Sequence, residues 1–88
     1  MSIKIIETTT KFDRSLYRLP FEIQQKVLER KELFKKNPFN PKLRTHKLKG
    51  KLKKMWSFSV TYSFRIVFEF IGKDKIIFYD IGDHRIYQ

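Results

Sequence analysis

The chain has no cysteine in its 88 residues. That excludes a disulfide, a thiolate metal site and a Cys nucleophile, and it suits a reducing compartment. Acid is also scarce: nine Asp and Glu stand against twenty Lys and Arg, a net charge of +11. The three glycines, at 50, 72 and 82, are isolated, so no glycine-rich loop is available to cradle phosphates. No apolar run approaches the roughly 18 residues of a membrane span. The N-terminal stretch MSIKIIETTTKFDR has no long apolar segment followed by a small-residue cleavage site, so we expect no secretion signal and a cytoplasmic location.

What is present points to a folded unit. Hydrophobic residues make up 41% of the chain, with nine Phe, four Tyr and one Trp, too many for a disordered tail. A chain of this length can bury roughly 60% of its unfolded surface, and a single domain spanning 1–88 is the expectation. The charge of +11 asks for a polyanionic partner, nucleic acid or an acidic protein. The competing reading is a solvated basic surface that serves solubility. No helical stretch sets a basic face against a clean apolar one, so a membrane partner is not expected.

Local patterns predict an α+β fold of order β-α-α-β-β-β, a helical hairpin on a small antiparallel sheet. Residues 2–7 are β-branched and read as a short strand. Thr8, Thr9 and Thr10 offer helix N-caps, with Asp13 in capping-box-like position after Thr10. A first helix over 10–18 follows from Phe12, Leu16 and Leu19. Pro20 breaks it and suits the first turn of a second helix over about 21–36. Ile23, Val27 and Phe34 mark the inner face of that helix, with Leu28 and Leu33 beside them, and Asn37-Pro38 ends it. From Trp56 to Phe70 every even position is large and apolar, while most odd ones are polar. That is the period of a strand. One strand of this length would run about 50 Å at 3.3 Å per residue, too long for so small a chain, so it must fold back near Thr61 to Ser63. Gly72 to Lys75 makes a further turn, and Ile76 to Ile81 a last strand. The N-terminal strand is expected at the sheet edge.

Few residues can carry chemistry, and the two histidines lead. His46 lies in the stretch Lys42 to Lys54, which holds seven Lys and Arg and no acid. A neutral imidazole there can accept a proton; the alternative is a loop histidine that only binds phosphate or caps a turn. Lys49, Lys51 and Lys53 alternate with Leu48 and Leu52, as an edge strand with a phosphate-tracking face or as a solvated charge run. Arg65 stands on the polar side of its strand, where a planar guanidinium can pair two phosphate oxygens; the alternative is a surface ion pair with Glu69. His84 follows Asp83 just after the last strand, with Asp80 or Asp83 placed to orient its ring; the alternative is an exposed tail histidine. Tyr87 can stack on a base or pack on the sheet edge. His84, Asp83 and Asp80 match no closed zinc spacing, and neither metal nor cofactor is expected. Metal-free cleavage would select RNA, whose 2′-OH can attack its own phosphate. It needs a base, an acid and a cation on the phosphoryl oxygens, and His46, His84 and Arg65 fit these by chemistry.

Four strings, in order, carry a resemblance: Thr45-His46-Lys47-Leu48-Lys49-Gly50, Lys54-Met55-Trp56-Ser57-Phe58, Ser63-Phe64-Arg65-Ile66-Val67-Phe68 and Ile81-Gly82-Asp83-His84-Arg85-Ile86-Tyr87. Together with the helical hairpin they make the chain resemble the RelE/ParE superfamily of bacterial and archaeal toxins over nearly its whole length. The resemblance implies a type II toxin whose RelE/YafQ-like branch is an endoribonuclease, an mRNA interferase acting in the ribosomal A site and silenced by a cognate antitoxin, here expected to be acidic. It implies that Arg65 meets the scissile phosphate, that His84 does acid–base work and that Tyr87 is the terminal aromatic. It implies that His46 matches a histidine of the YafQ-like branch, and that Lys47, Lys49, Lys51, Lys53 and Lys54 meet ribosomal RNA. The His84-to-Tyr87 spacing is one residue shorter than in many members. The alternatives are a ParE-like inhibitor of DNA gyrase, a branch without the catalytic set, and an inactive module that binds RNA or protein.

Overall fold

The computed structural model describes residues 3–50 and 54–83. Its elements are β1 (Ile5–Thr8), α1 (Thr10–Tyr17), α2 (Phe21–Lys36), a 3₁₀ turn (Pro41–Leu43), β2 (His46–Lys47), β3 (Trp56–Ser59), β4 (Phe64–Ile71) and β5 (Lys75–Asp83). The five strands form one sheet of order β1-β5-β4-β3-β2. Three of its four pairings are antiparallel; β1 lies parallel to β5 at the edge. The two helices cover one face of this sheet, an α+β arrangement, and the expected order of elements holds with β2 added.

Thr9, not Thr10, caps α1. Its hydroxyl accepts from the Phe12 N–H at 3.0 Å and donates to the Tyr79 carbonyl at 2.7 Å. One side chain thus starts the helix and ties it to β5. Helix α2 begins directly after Pro20, with Glu22 in its first turn and Lys35 and Lys36 in its last; both charges suit the helix dipole. The Gln24 amide donates to the Leu19 carbonyl at 2.9 Å and braces the link between the helices.

The alternating run does fold back, over residues 60–63, with the Thr61 hydroxyl accepting from the Phe64 N–H at 3.1 Å. Thr61 therefore does the work that a Gly or Pro would signal. The even positions turn toward the helices: Phe58, Val60, Ile66 and Phe68 are buried. Phe34 of α2 lies at the centre of the core. Its ring meets those of Phe58, Phe68 and Phe78 at 4.7, 5.0 and 5.7 Å. Val27 joins it from the same helix face, whereas Leu28, expected beside that face, is half exposed.

In β5 the inward phase changes from even to odd. Ile76 and Phe78 are buried, and so is Ile81, because a bulge shifts the β4–β5 register between Val67 and Phe68. A bulge adds one residue and re-aims its neighbours. Here the Tyr79 hydroxyl donates to the Glu69 carboxylate at 2.8 Å, while Asp80 accepts from the Ser15 hydroxyl at 2.7 Å and pairs with Lys11 at 3.6 Å.

No helix among the described residues is long and apolar enough to cross a membrane.

Candidate functional site

The short β2 decides where a site can form. It pairs only His46 with Ser57 and Lys47 with Trp56. Beyond Ser57, toward Ser59, β3 therefore runs on with no strand pair on that side. The chain before β2 turns away there: Arg44 adopts a left-handed conformation, φ 51° and ψ 41°, which costs a residue with a Cβ about 1 kcal/mol. The preceding loop is pinned by side chains. The Asn40 carboxamide accepts from the Lys42 N–H at 3.0 Å, and the Thr45 hydroxyl donates to the Pro38 carbonyl.

A pocket of about 180 Å³ lies at this edge, lined by Arg30, Lys42, Arg44, Arg65 and the Ser59–Tyr62 segment. Four cationic side chains line it, and no carboxylate does. Arg30 comes from α2. It follows Val27 by three residues and precedes Phe34 by four, so it shares the inward helix face. Arg65 comes from β4, opposite Ser59 of β3.

The two guanidinium groups are poorly satisfied. Nη1 of Arg65 reaches the Ser59 hydroxyl at 3.5 Å, the outer limit of a hydrogen bond. The Nε atoms of Arg30 and Arg65 are buried with no hydrogen-bond partner among the described residues. The ion pair of Arg65 with Glu69, one sequence expectation, does not form: four residues along β4 separate their Cα atoms by about 13 Å, and Glu69 accepts from Tyr79. Of the acids nearest Arg30 in the chain, Glu29 pairs with Lys26 at 3.5 Å and Glu32 with Lys35 at 3.8 Å, and both line a neighbouring pocket with Arg30.

The pairing register relates His46 to this pocket. His46 opposes Ser57, and Ser57 opposes Val67, while Ser59 opposes Arg65. Directly paired residues share a sheet face, and residues two apart along a strand share it too. His46, Ser57, Ser59 and Arg65 therefore lie on the face away from the Phe34 core. His46 and Arg65 are two strands and two residues apart, about 12 Å between Cα atoms at ordinary sheet spacings. His46 is exposed, and its Nδ1 is 3.0 Å from the Arg44 carbonyl. A carbonyl can only accept, so Nδ1 donates in this contact. Ser57 and Ser59, read from alternation as polar outward positions, are buried.

Lys47, Lys49 and Lys54 are exposed near the same edge. The described strand at this edge is His46–Lys47; the alternation of Lys49, Lys51 and Lys53 with Leu48 and Leu52 runs mostly through 51–53, outside the described residues. Lys51, Lys53, His84 and Tyr87 lie outside the described residues. Arg65 opposes Gly82, and Phe64 opposes Asp83, so β5 ends beside the start of β4. Asp80, one residue expected to orient His84, is engaged with Ser15 and Lys11. The sequence reading missed Arg30 altogether. The available signal was an arginine set on the apolar stripe formed by Val27 and Phe34, with no acid three or four residues away on either side.

The fold is shared with small bacterial and archaeal toxins of solved structure. It superposes on a YoeB/ParE toxin from Agrobacterium tumefaciens with a TM-score of 0.78 at 19% identity, covering 92% of this chain and 99% of that one. The YafQ–DinJ toxin–antitoxin complex of E. coli gives 0.75 at 14% identity, covering 98% and 97%. The archaeal RelE–RelB complex of Pyrococcus horikoshii OT3 gives 0.74 at 17% identity, covering 94% and 96%. No protein-family model and no curated protein matches the sequence. The architecture is that of these solved toxin structures.

Proposed function

We propose that this protein is the toxin of a type II toxin–antitoxin pair and acts as a metal-independent endoribonuclease on mRNA in the ribosomal A site, stopping translation in the cytoplasm. One observation carries the reading: an acid-free cationic pocket holds Arg65, on the sheet face that also bears His46. A pocket of this charge takes a phosphate, and a toxin fold supplies the context.

The reaction follows from the chemistry of RNA. A base removes the proton of a ribose 2′-OH, and that oxygen attacks the adjacent phosphorus. The bond from phosphorus to the 5′-oxygen breaks, and an acid protonates the leaving oxygen. The products are a 2′,3′-cyclic phosphate and a 5′-OH. His46 acts as base, and His84 as acid. Arg65 neutralises the charge that grows on the non-bridging oxygens, where a fixed cation is worth most. Tyr87 stacks on a base. The exposed Lys47, Lys49 and Lys54, with Lys51 and Lys53, grip ribosomal RNA. An acidic antitoxin silences the toxin by covering this cationic surface, as the charge of +11 invites.

The test is cleavage by the purified toxin after treatment with EDTA and desalting. Ribosome-bound mRNA should be cut within codons, and Arg65→Ala should remove that activity. Unchanged cleavage in that variant, or loss of DNA supercoiling before loss of translation on induction, would overturn the reading.

A further inference from the structure

Arg30 has no place in the reaction just proposed, yet it is the residue whose surroundings are hardest to explain without a ligand. Its Nε is buried and unpartnered, as is that of Arg65, and both side chains line the same pocket. Leaving one buried donor unsatisfied costs about 1–3 kcal/mol. Two guanidinium groups beside one cavity add repulsion, and neither can lose its charge. Lys42 and Arg44 raise the positive potential further from the loop side. The left-handed turn at Arg44 holds that side chain there against a conformational preference. A single anion in the pocket would pair with guanidinium N–H groups of both side chains and screen all four cations.

The pocket also limits the size of that anion. Its volume of about 180 Å³ is below the roughly 300–1,000 Å³ of pockets that enclose drug-sized ligands. One phosphate group fits, with the rest of the strand lying outside along the open edge of β3. A guanidinium fork pairs two oxygens of a phosphate, and two forks from different elements can hold it from two sides.

We infer that Arg30 is a phosphate-binding residue of the active site: with Arg65 it clamps one phosphodiester group of the RNA, α2 supplying one fork and β4 the other. The inference rests on the ribonuclease reading for the identity of the strand. It goes beyond that reading in assigning a role to the helix layer.

The test uses the purified toxin with arginine Nε–H signals followed by ¹⁵N NMR. The titrants are inorganic phosphate and a short RNA oligonucleotide blocked by a 2′-deoxy sugar. The Arg30 and Arg65 signals should shift together along one binding curve. Arg30→Gln should lower the slope of log affinity against log salt by about one, a readout that a purely structural role would leave unchanged. Arg30→Lys keeps the charge without the fork, and should weaken oligonucleotide binding about ten-fold or more while the circular dichroism spectrum is retained.

A shift of the Arg65 signal alone overturns the clamp. So does wild-type binding by Arg30→Lys, or a loss of antitoxin affinity in that variant with RNA binding intact. If both signals respond to the blocked oligonucleotide but the wild-type protein cuts no RNA, the clamp stands and the ribonuclease reading falls.

Discussion

Val27, Arg30 and Phe34 occupy one face of α2 and meet opposite surroundings. Around Phe34 three aromatic rings close the space, and its side chain is fully buried. One turn away, Arg30 reaches a pocket with three other cations and no acid. The first region is packed to satisfaction, while the second keeps charges unpaired. The difference teaches where stability and function divide in so small a protein. The Phe34 region supplies the burial that holds the sheet and helices together, and that rigidity lets the edge beside Ser59 keep an unfavourable charge cluster in place.

Substitutions on the two sides should therefore fail in different ways. The largest effect is expected from Phe34→Ala. Removing a buried phenyl ring costs about 3–5 kcal/mol, a large part of the 5–15 kcal/mol that typically holds a protein together. Urea unfolding should show a midpoint far below that of the parent, with any remaining activity tracking the folded fraction.

Arg65→Ala should behave in the reverse sense. Cleavage of ribosome-bound mRNA should drop by about 100-fold or more, as for other fixed charges that meet a developing oxyanion. Its unfolding midpoint should stay level or rise, since a buried donor without a partner and a like-charge contact are both removed. A marked loss of stability in Arg65→Ala would erase the contrast between the two regions.

Tyr79→Phe is expected to cost about 1 kcal/mol through the lost hydrogen bond to Glu69. That bond, then burial, and then the negative charge of Glu69 raise the phenol above its ordinary value of 10.0. The unfolded chain therefore loses the proton first. The stabilisation is complete below about pH 10 and fades as the pH rises through the folded value. Thermal unfolding followed across alkaline pH should show this decline in the parent and a flatter profile in Tyr79→Phe.

Ser59→Ala should have the smallest effect, within about 0.5 kcal/mol, because its contact with Arg65 is 3.5 Å long. A larger loss would mean that the hydroxyl holds the guanidinium more firmly than that distance implies.

Most of the fold could be read from local patterns. The bounds of α2 follow from Pro20 and from Asn37-Pro38, both of which act on backbone geometry within a few residues. β3 and β4 followed from alternation, β1 from β-branched content and β5 from the turn before it, and the fold-back between Ser59 and Phe64 from a length argument alone. The bulge in β5 and the bounds of β2 were not legible. Each depends on the register of the neighbouring strand, which no local composition records. The site was legible in part. Arg65 and His46 stood out by residue type and setting, but their common sheet face needed the pairing of β2, β3 and β4. The hydrogen bond of Tyr79 to Glu69 needed the β4–β5 register as well.

By itself the sequence determined the order of elements, the apolar stripe of each and the excess of positive charge, because these rest on short-range sterics and on composition. Only the tertiary structure decided which charges stand together without an acid. Arg30, Arg44 and Arg65 are far apart along the chain and carry no shared motif. They meet because α2 crosses a sheet whose edge strand stops at Lys47 and leaves the next strand open.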